Sequence, residues 1–385
     1  MKVLVSKLSL AARDRRRISG LTHNFYRYPA RFSPTFAATA IECFSEAGDL
    51  MLDPYMGGGT TIVEAIAKGR RAVGNDLNSL ATFVTKVKTT PLDPKEARAV
   101  SKWAARVIPN LNYRVSRDEL ASLLDSDKTY NLTLARGRFI KKILAGAIES
   151  VVQLPTKDAH DFARCAILGV AQWALDGRRT HTPLSEFRKR LCNTVTQMLV
   201  SLDELHSAIS NAGRGRSCVL SNGDAANIDQ LPIFGEKGER AKLVVTSPPY
   251  PGIHVLYHRW QVDGRRETPA PYWIAGCADG QGASFYNFGD RRERDASTYF
   301  ATSLETLLAI RRAMAKNGVI VQMVAFSDQR NQLPRYLENM EQAGFRELTA
   351  GSARIWRNVP NRRWHASLHG QTNSAREVVL IHEAI

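Results

Sequence analysis

The chain contains no apolar run of the ~18 residues that a membrane-spanning helix needs, which excludes that class. Its first residues, Met1-Lys2-Val3-Leu4-Val5-Ser6-Lys7, show neither the long apolar stretch nor the cleavage site of a secretory leader. Cysteine is scarce: Cys43, Cys165, Cys192, Cys218 and Cys277 are scattered, odd in number and never spaced as CxxC. That pattern indicates neither a disulfide framework nor a zinc site, and it fits a reducing cytoplasm. No Gly-Lys-Ser or Gly-Lys-Thr occurs, so a P-loop is not expected. Internal repeats and low-complexity segments are also missing. Acid is in short supply, with 37 Asp and Glu against 53 Lys and Arg, a net charge of +16.

A positive surplus of this size points to a polyanionic partner, most often nucleic acid. Apolar residues at 44% and charged residues at 23% are ordinary for a globular protein. At 385 residues the chain has room for two domains, or one domain with a large insertion.

Two stretches carry the chemistry. In the first, Leu50-Met51-Leu52 reads as a buried strand running into Asp53-Pro54-Tyr55-Met56-Gly57-Gly58-Gly59-Thr60-Thr61. Ile62, Val63, Ala65 and Ile66 then start an amphipathic helix. Three glycines between strand and helix let backbone approach a ligand with no Cβ in the way. A second strand, Arg71-Ala72-Val73-Gly74, ends at Asn75-Asp76, where an acid is placed to bond a ribose hydroxyl pair.

In the second stretch, the apolar run Leu243-Val244-Val245-Thr246 stops at Ser247-Pro248-Pro249-Tyr250. Proline fixes φ and donates no hydrogen bond, so this loop is rigid and its carbonyls are left to accept. Ser247 adds a hydroxyl and Tyr250 a flat ring. At the C-terminal end of a strand, such a loop suits the exocyclic amino group of a planar base.

These segments resemble those of the DNA amino-methyltransferases. Asp53 to Thr60 is similar to the family's S-adenosylmethionine motif, DPFxGxGT, and Ser247-Pro248-Pro249-Tyr250 to its catalytic (D/N/S)PP(Y/F/W) motif. Thr246-Ser247 is the form typical of cytosine-N4 enzymes, whereas adenine-N6 enzymes more often carry Asp or Asn. Tyr28-Pro29-Ala30-Arg31-Phe32 resembles a further cofactor motif, Asn75-Asp76-Leu77-Asn78 the ribose segment, and Gly223-Asp224-Ala225 the segment near the cofactor adenine.

The resemblance, over residues 23–90 and 218–350, implies an α/β fold: a Rossmann-like class I methyltransferase sheet, mostly parallel, with an antiparallel C-terminal hairpin. It implies S-adenosyl-L-methionine as cofactor. The binding residues would be Tyr28, Pro29, Ala30, Arg31, Phe32, Asp53, Pro54, Tyr55, Gly57, Gly59, Thr60, Thr61, Asp76, Asn78, Asp224 and Ala225. Ser247, Pro248, Pro249 and Tyr250 would be catalytic, with Ser247 and the Pro248 carbonyl accepting from the amine and Tyr250 stacking on a base turned out of the duplex. Double-stranded DNA would be the partner, with a cognate restriction endonuclease acting separately. Cytosine-C5 enzymes use a Pro-Cys motif, and no cysteine here follows a proline.

The chain divides by this reading into residues 1–93, an N-terminal arm and the cofactor half; 94–216, a helical insertion; and 217–385, the catalytic half. The insertion departs from the common arrangement. It carries 20 Lys and Arg against 12 Asp and Glu, a surplus of 8, and reads as helices over 96–107, 117–124, 134–154, 159–175 and 185–209. It is a candidate for target recognition, or else a helical cap with solvated charges. Residues 1–20, with Arg13, Arg15, Arg16 and Arg17, read as a basic, partly mobile arm.

Residues 251–300 read as a long irregular loop in which His254, Tyr257, Arg259, Trp260, Arg291 and Arg292 would grip nucleic acid; Arg362 and Arg363 near the C-terminus would add to this. His254 and His258 lack a third ligand, so no metal is expected. Two alternatives stand beside cytosine-N4 transfer to DNA: adenine-N6 transfer, and an RNA or tRNA amino-methyltransferase with the same two motifs. A non-catalytic nucleic-acid-binding module is the third reading, against which the intact motifs argue.

Overall fold

The computed structural model describes residues 2–29, 31–114, 127–213, 217–251, 259–264, 266–278, 288–289, 295–358 and 376–385. The centre is one sheet. Strands β1 (Leu50–Asp53), β2 (Arg71–Asp76), β3 (Cys218–Asn222), β4 (Ala241–Thr246) and β7 (Met314–Val324) are parallel, in the order β3-β2-β1-β4-β7. Strand β10 (Arg376–Ala384) runs antiparallel beside β7. Its other edge takes β8 (Phe345–Glu347) and β9 (Ile355–Asn358), both antiparallel. This is the mostly parallel sheet with an antiparallel C-terminal end that the motifs implied. A separate hairpin joins β5 (Trp260–Val262) and β6 (Arg266–Thr268).

The apolar runs of β1, β4 and β7 are explained by helices on both faces. Because side chains alternate along a strand, Met51, Leu243, Val245 and Val321 face one layer, and Leu52, Val244 and Ile320 the other. The first layer comprises α1 (Lys2–Ala12), α2 (Pro34–Phe44) and α3 (Thr60–Ala67). The second comprises α10 (Ser297–Ala313) and α11 (Gln329–Gln342).

Helix α4 (Ser79–Thr89) follows β2, capped by the Asn78 side chain, which accepts from Leu80 N. Helices α5 (Pro94–Val107), α6 (Ala135–Ser150), α7 (Lys157–Leu175) and α8 (Leu184–Asn211) make up the described part of the basic segment. A capping box of Asp93 and Glu96, with proline at N1, starts α5. The core of these helices is continuous with Tyr28, Phe83, Val84 and Val87, so they pack against the back of α4. The expected helix at 117–124 lies outside the described residues.

Two expectations are corrected. Residues 2–12 form a helix, with Leu8 and Ala12 buried and the Ala12 carbonyl accepting from Arg357. The arginines at 13–17 drew attention away from the apolar spacing of Val5, Leu8 and Ala12 just before them. Residues 259–264 and 266–275 are likewise not a free loop. The hairpin and the short helix α9 (Ala270–Ala275) bury Trp260, Tyr272 and Trp273 against α7 and α4.

Candidate active site

The first turn of the site is made at β1. Gly57 and Gly59 have φ of 48° and 73°, the left-handed region that L side chains avoid. A Cβ on Gly58 would lie 2.8 Å from the Tyr28 Cβ, and one on Gly59 2.6 Å from Thr85. The loop is therefore held to glycine by what packs against it.

Asp76, at the end of β2, fixes the loop from below. Its Oδ2 accepts from Gly57 N at 2.9 Å and its Oδ1 from Asn78 N at 2.8 Å. Burial pushes its carboxyl up to about 6. Asp53, at the end of β1, is raised to about 6 by the same cause, although the Thr246 hydroxyl donates to it at 2.6 Å. Asn78 is fully buried, donating to the Tyr28 hydroxyl and accepting from the Tyr272 hydroxyl, each at 3.0 Å.

Beside these, β4 ends in the Ser-Pro-Pro-Tyr loop. The Ser247 hydroxyl donates to the Met323 carbonyl on β7 at 3.1 Å, and lies 2.9 Å from the Tyr250 hydroxyl. Its proton is thereby engaged, and its oxygen is left to act as an acceptor. Tyr299 donates to the Pro249 carbonyl at 2.8 Å.

One cavity, about 940 Å³ of empty space open to solvent, joins the two loops. Its wall brings together Tyr28, Pro29, Arg31, Phe32, Asp53, Pro54, Tyr55, Gly57, Thr60, Asp76, Asn78, Asp224, Ala225, Ser247 and Pro249. These segments are scattered in sequence, and the crevice lies at the C-terminal ends of β1 and β4, where strand order reverses.

Several expected residues stand elsewhere. Gly59 and Thr61 are behind the wall; the Thr61 hydroxyl ties α3 to the Val245 carbonyl. Pro248 is buried and off the wall. Tyr250 is 8% exposed, packed in the second apolar layer, with its hydroxyl 3.3 Å from Glu377. It is not the open stacking platform the motif implied, because Ser247 and Glu377 hold it inward. Trp260 is 2% exposed and donates its indole N–H to the Tyr26 hydroxyl, so it offers no face to nucleic acid. Arg259 is half-buried near Glu267 and over the Tyr130 ring. Ala30, His254, Tyr257, Arg291, Arg292, Arg362 and Arg363 lie outside the described residues.

Sequence reasoning missed Met56, Leu77 and Phe288 on the wall. Phe288 packs edge-on to Tyr55, with ring centroids 5.7 Å apart. The sequence around Phe288 has no strand or helix period that would place it here.

Comparison with known proteins bears on the same segments. The DNA methylase family matches residues 11–82, from the end of α1 through the glycine loop to Asp76 and α4. The chain is 33% identical over 139 residues to the Type II methyltransferase M.MvaI of Kocuria varians. Both matches support a likeness to the DNA amino-methyltransferases over the segments they cover. S-adenosylmethionine is the cofactor of that family. The match to M.MvaI spans 32% of this chain and 30% of that protein. A second relative, the Type II methyltransferase M.MjaII of Methanocaldococcus jannaschii, is 22% identical over 121 residues, 31% of this chain and 19% of that protein.

Among solved structures, the chain has a loose likeness to the rRNA methyltransferase aviRa of Streptomyces viridochromogenes. The TM-score is 0.36 at 9% identity, covering 93% of this chain and 89% of that one. TrmN of Thermus thermophilus gives 0.33 at 8% identity, covering 92% and 49%. No helix among the described residues is long and apolar enough to cross a membrane.

Proposed function

We propose that this chain transfers the methyl group of S-adenosylmethionine to the exocyclic amino nitrogen of a base in double-stranded DNA, cytosine N4 above adenine N6. The observation that carries this reading is the single cavity lined by both the Asp76–Gly57 pair and Ser247. The residues fit the cofactor. Asp76 keeps lone pairs for a ribose diol after accepting two backbone N–H groups, and the glycine loop leaves room for close approach. Tyr28, Phe32 and Tyr55 give flat apolar walls, and Asp224 and Ala225 stand where an adenine edge would be read.

When bound, the cofactor supplies an electrophilic sulfonium methyl. The chain's work is on the amine, whose lone pair is delocalised into the base. The Ser247 oxygen, its own proton engaged by Met323, accepts an amino N–H and favours a pyramidal nitrogen with its lone pair available. With Asp76 and the glycine loop holding the donor and Ser247 the amine, the methyl would pass from sulfur to this nitrogen, whose extra proton would leave to solvent. Positioning and electrostatics contribute the acceleration. Tyr250 braces Ser247 from within. The preference for cytosine rests on serine after Thr246, and the likeness to a Type II methyltransferase supports a restriction-modification setting.

The basic helices behind α4 serve as the target-recognition region in this reading. Arg178 and Arg190 each lie over the ring of partly buried Trp173, at 4.6 and 4.1 Å, with Arg190 also paired to Glu186, and guanidinium groups suit phosphate.

The test is Ser247→Ala. Methyl transfer to DNA should fall at least ~100-fold, the scale of losing one preorganised polar group, while cofactor affinity measured by calorimetry stays within about threefold. Loss of cofactor binding in this variant would give the loop another role.

A further inference from the structure

Helix α4 carries a buried lysine that the proposed chemistry does not use. Lys88 is 1% exposed, and its Nζ donates to the Gly58 carbonyl at 2.6 Å. One turn earlier on the same face, the Thr85 hydroxyl donates to the Gly57 carbonyl at 3.3 Å. Two consecutive carbonyls of the glycine loop are thus fastened to one helix. In a planar trans peptide the N–H points opposite to the C=O, so fastening the Gly57 carbonyl turns the Gly58 N–H away from α4. The loop also packs against Tyr28.

This arrangement is costly. No carboxylate bonds Lys88 among the described residues, and the Arg31 guanidinium adds a like charge. Cys165 on α7 faces it, and His23, paired with Glu64 at 2.7 Å, lies within electrostatic reach. Burial first, and Arg31 second, bring its pKa down to about 7. Val84 and Val87 beside it are in the core, where a methionine of equal length would pack at no such cost.

We propose that Lys88 is a positioning residue for the methyl donor: by fastening the Gly58 carbonyl it holds the glycine loop in the shape that admits the cofactor. The inference rests on the cofactor reading given above. A purely structural lysine would support the fold without favouring the ligand.

The two are separated by S-adenosylmethionine titrated calorimetrically into the full chain and into Lys88→Met and Val87→Ala, with thermal melting and steady-state kinetics run in parallel. Val87 is buried on the same helix and is not bonded to the loop, so its variant reports general weakening. Lys88→Met is expected to bind the cofactor at least ~10-fold more weakly, the loss expected of one buried polar tie. KM for the cofactor should rise with it while kcat at saturation holds. Val87→Ala should stay within about threefold of wild type. Lys88→Met binding within about twofold of wild type, or Val87→Ala losing as much affinity as Lys88→Met, would overturn the proposal. If Lys88→Met does not fold, the same comparison is read on Lys88→Gln, whose shorter amide cannot span the gap. A wild-type chain that fails to bind the cofactor would instead sink the cofactor reading itself.

Discussion

Asp76 joins three roles in one side chain: it ends β2, fixes the Gly57 and Asn78 amides, and faces the cavity. Its carboxyl titrates at about 6, raised by burial, as does that of Asp53. A raised acid stabilises the fold most when protonated, and that contribution is lost as pH rises through about 6. The ligand works in the opposite direction, because an ionised Asp76 accepts ribose hydroxyls better. Cofactor affinity should therefore rise as pH is taken from about 5 to 7, then level off; titration across that range checks it. Asp76→Asn should bind at least ~10-fold more weakly at pH 7, since its NH2 must face one of the two backbone donors. A flat profile in the wild type would remove Asp76 from the binding role.

At this scale the sequence is legible where chemistry is local. Three glycines after a strand, an acid at the next strand's end and a proline-stiffened serine were each readable from neighbours alone. The directions of Tyr250 and Trp260 were not. Both are aromatic beside a loop, and what turns them inward is a remote partner, Glu377 in one case and Tyr26 in the other.

At the scale of elements, α4 is the piece that connects the glycine loop to the basic helices. Its cap, Asn78, bonds Tyr28 from the N-terminal segment and Tyr272 from α9, and its inner face carries Thr85 and Lys88 to the glycine loop. Asn78→Ala should remove a helix cap and leave two buried tyrosine hydroxyls without that partner, destabilising the chain by about 2–4 kcal/mol. Denaturant titration measures this, and a loss below about 1 kcal/mol would mean that Asn78 is not the joint described here. Helix periods over 159–175 and 185–209 were read within a few residues of α7 and α8. The hairpin of β5 and β6 was not read, because strands of three residues each leave no period to detect.

At the scale of the molecule, the sheet order gathers the segments after β1, β2, β3 and β4 around one crevice. The +16 charge, read from composition alone, would add a general attraction for a polyanion. Composition could not show that the basic helices share a core with α4, since that depends on which faces meet. The central claim, methyl transfer to an exocyclic amine in DNA, is tested most directly by incubating the full chain with S-adenosylmethionine and unmethylated DNA, then digesting to nucleosides for mass spectrometry. The account predicts N4-methylcytosine, absent when Ser247→Ala replaces the wild type. N6-methyladenine would keep the mechanism and overturn the choice of base. Neither mark in DNA, with the cofactor still bound and methylated RNA formed instead, would contradict the account.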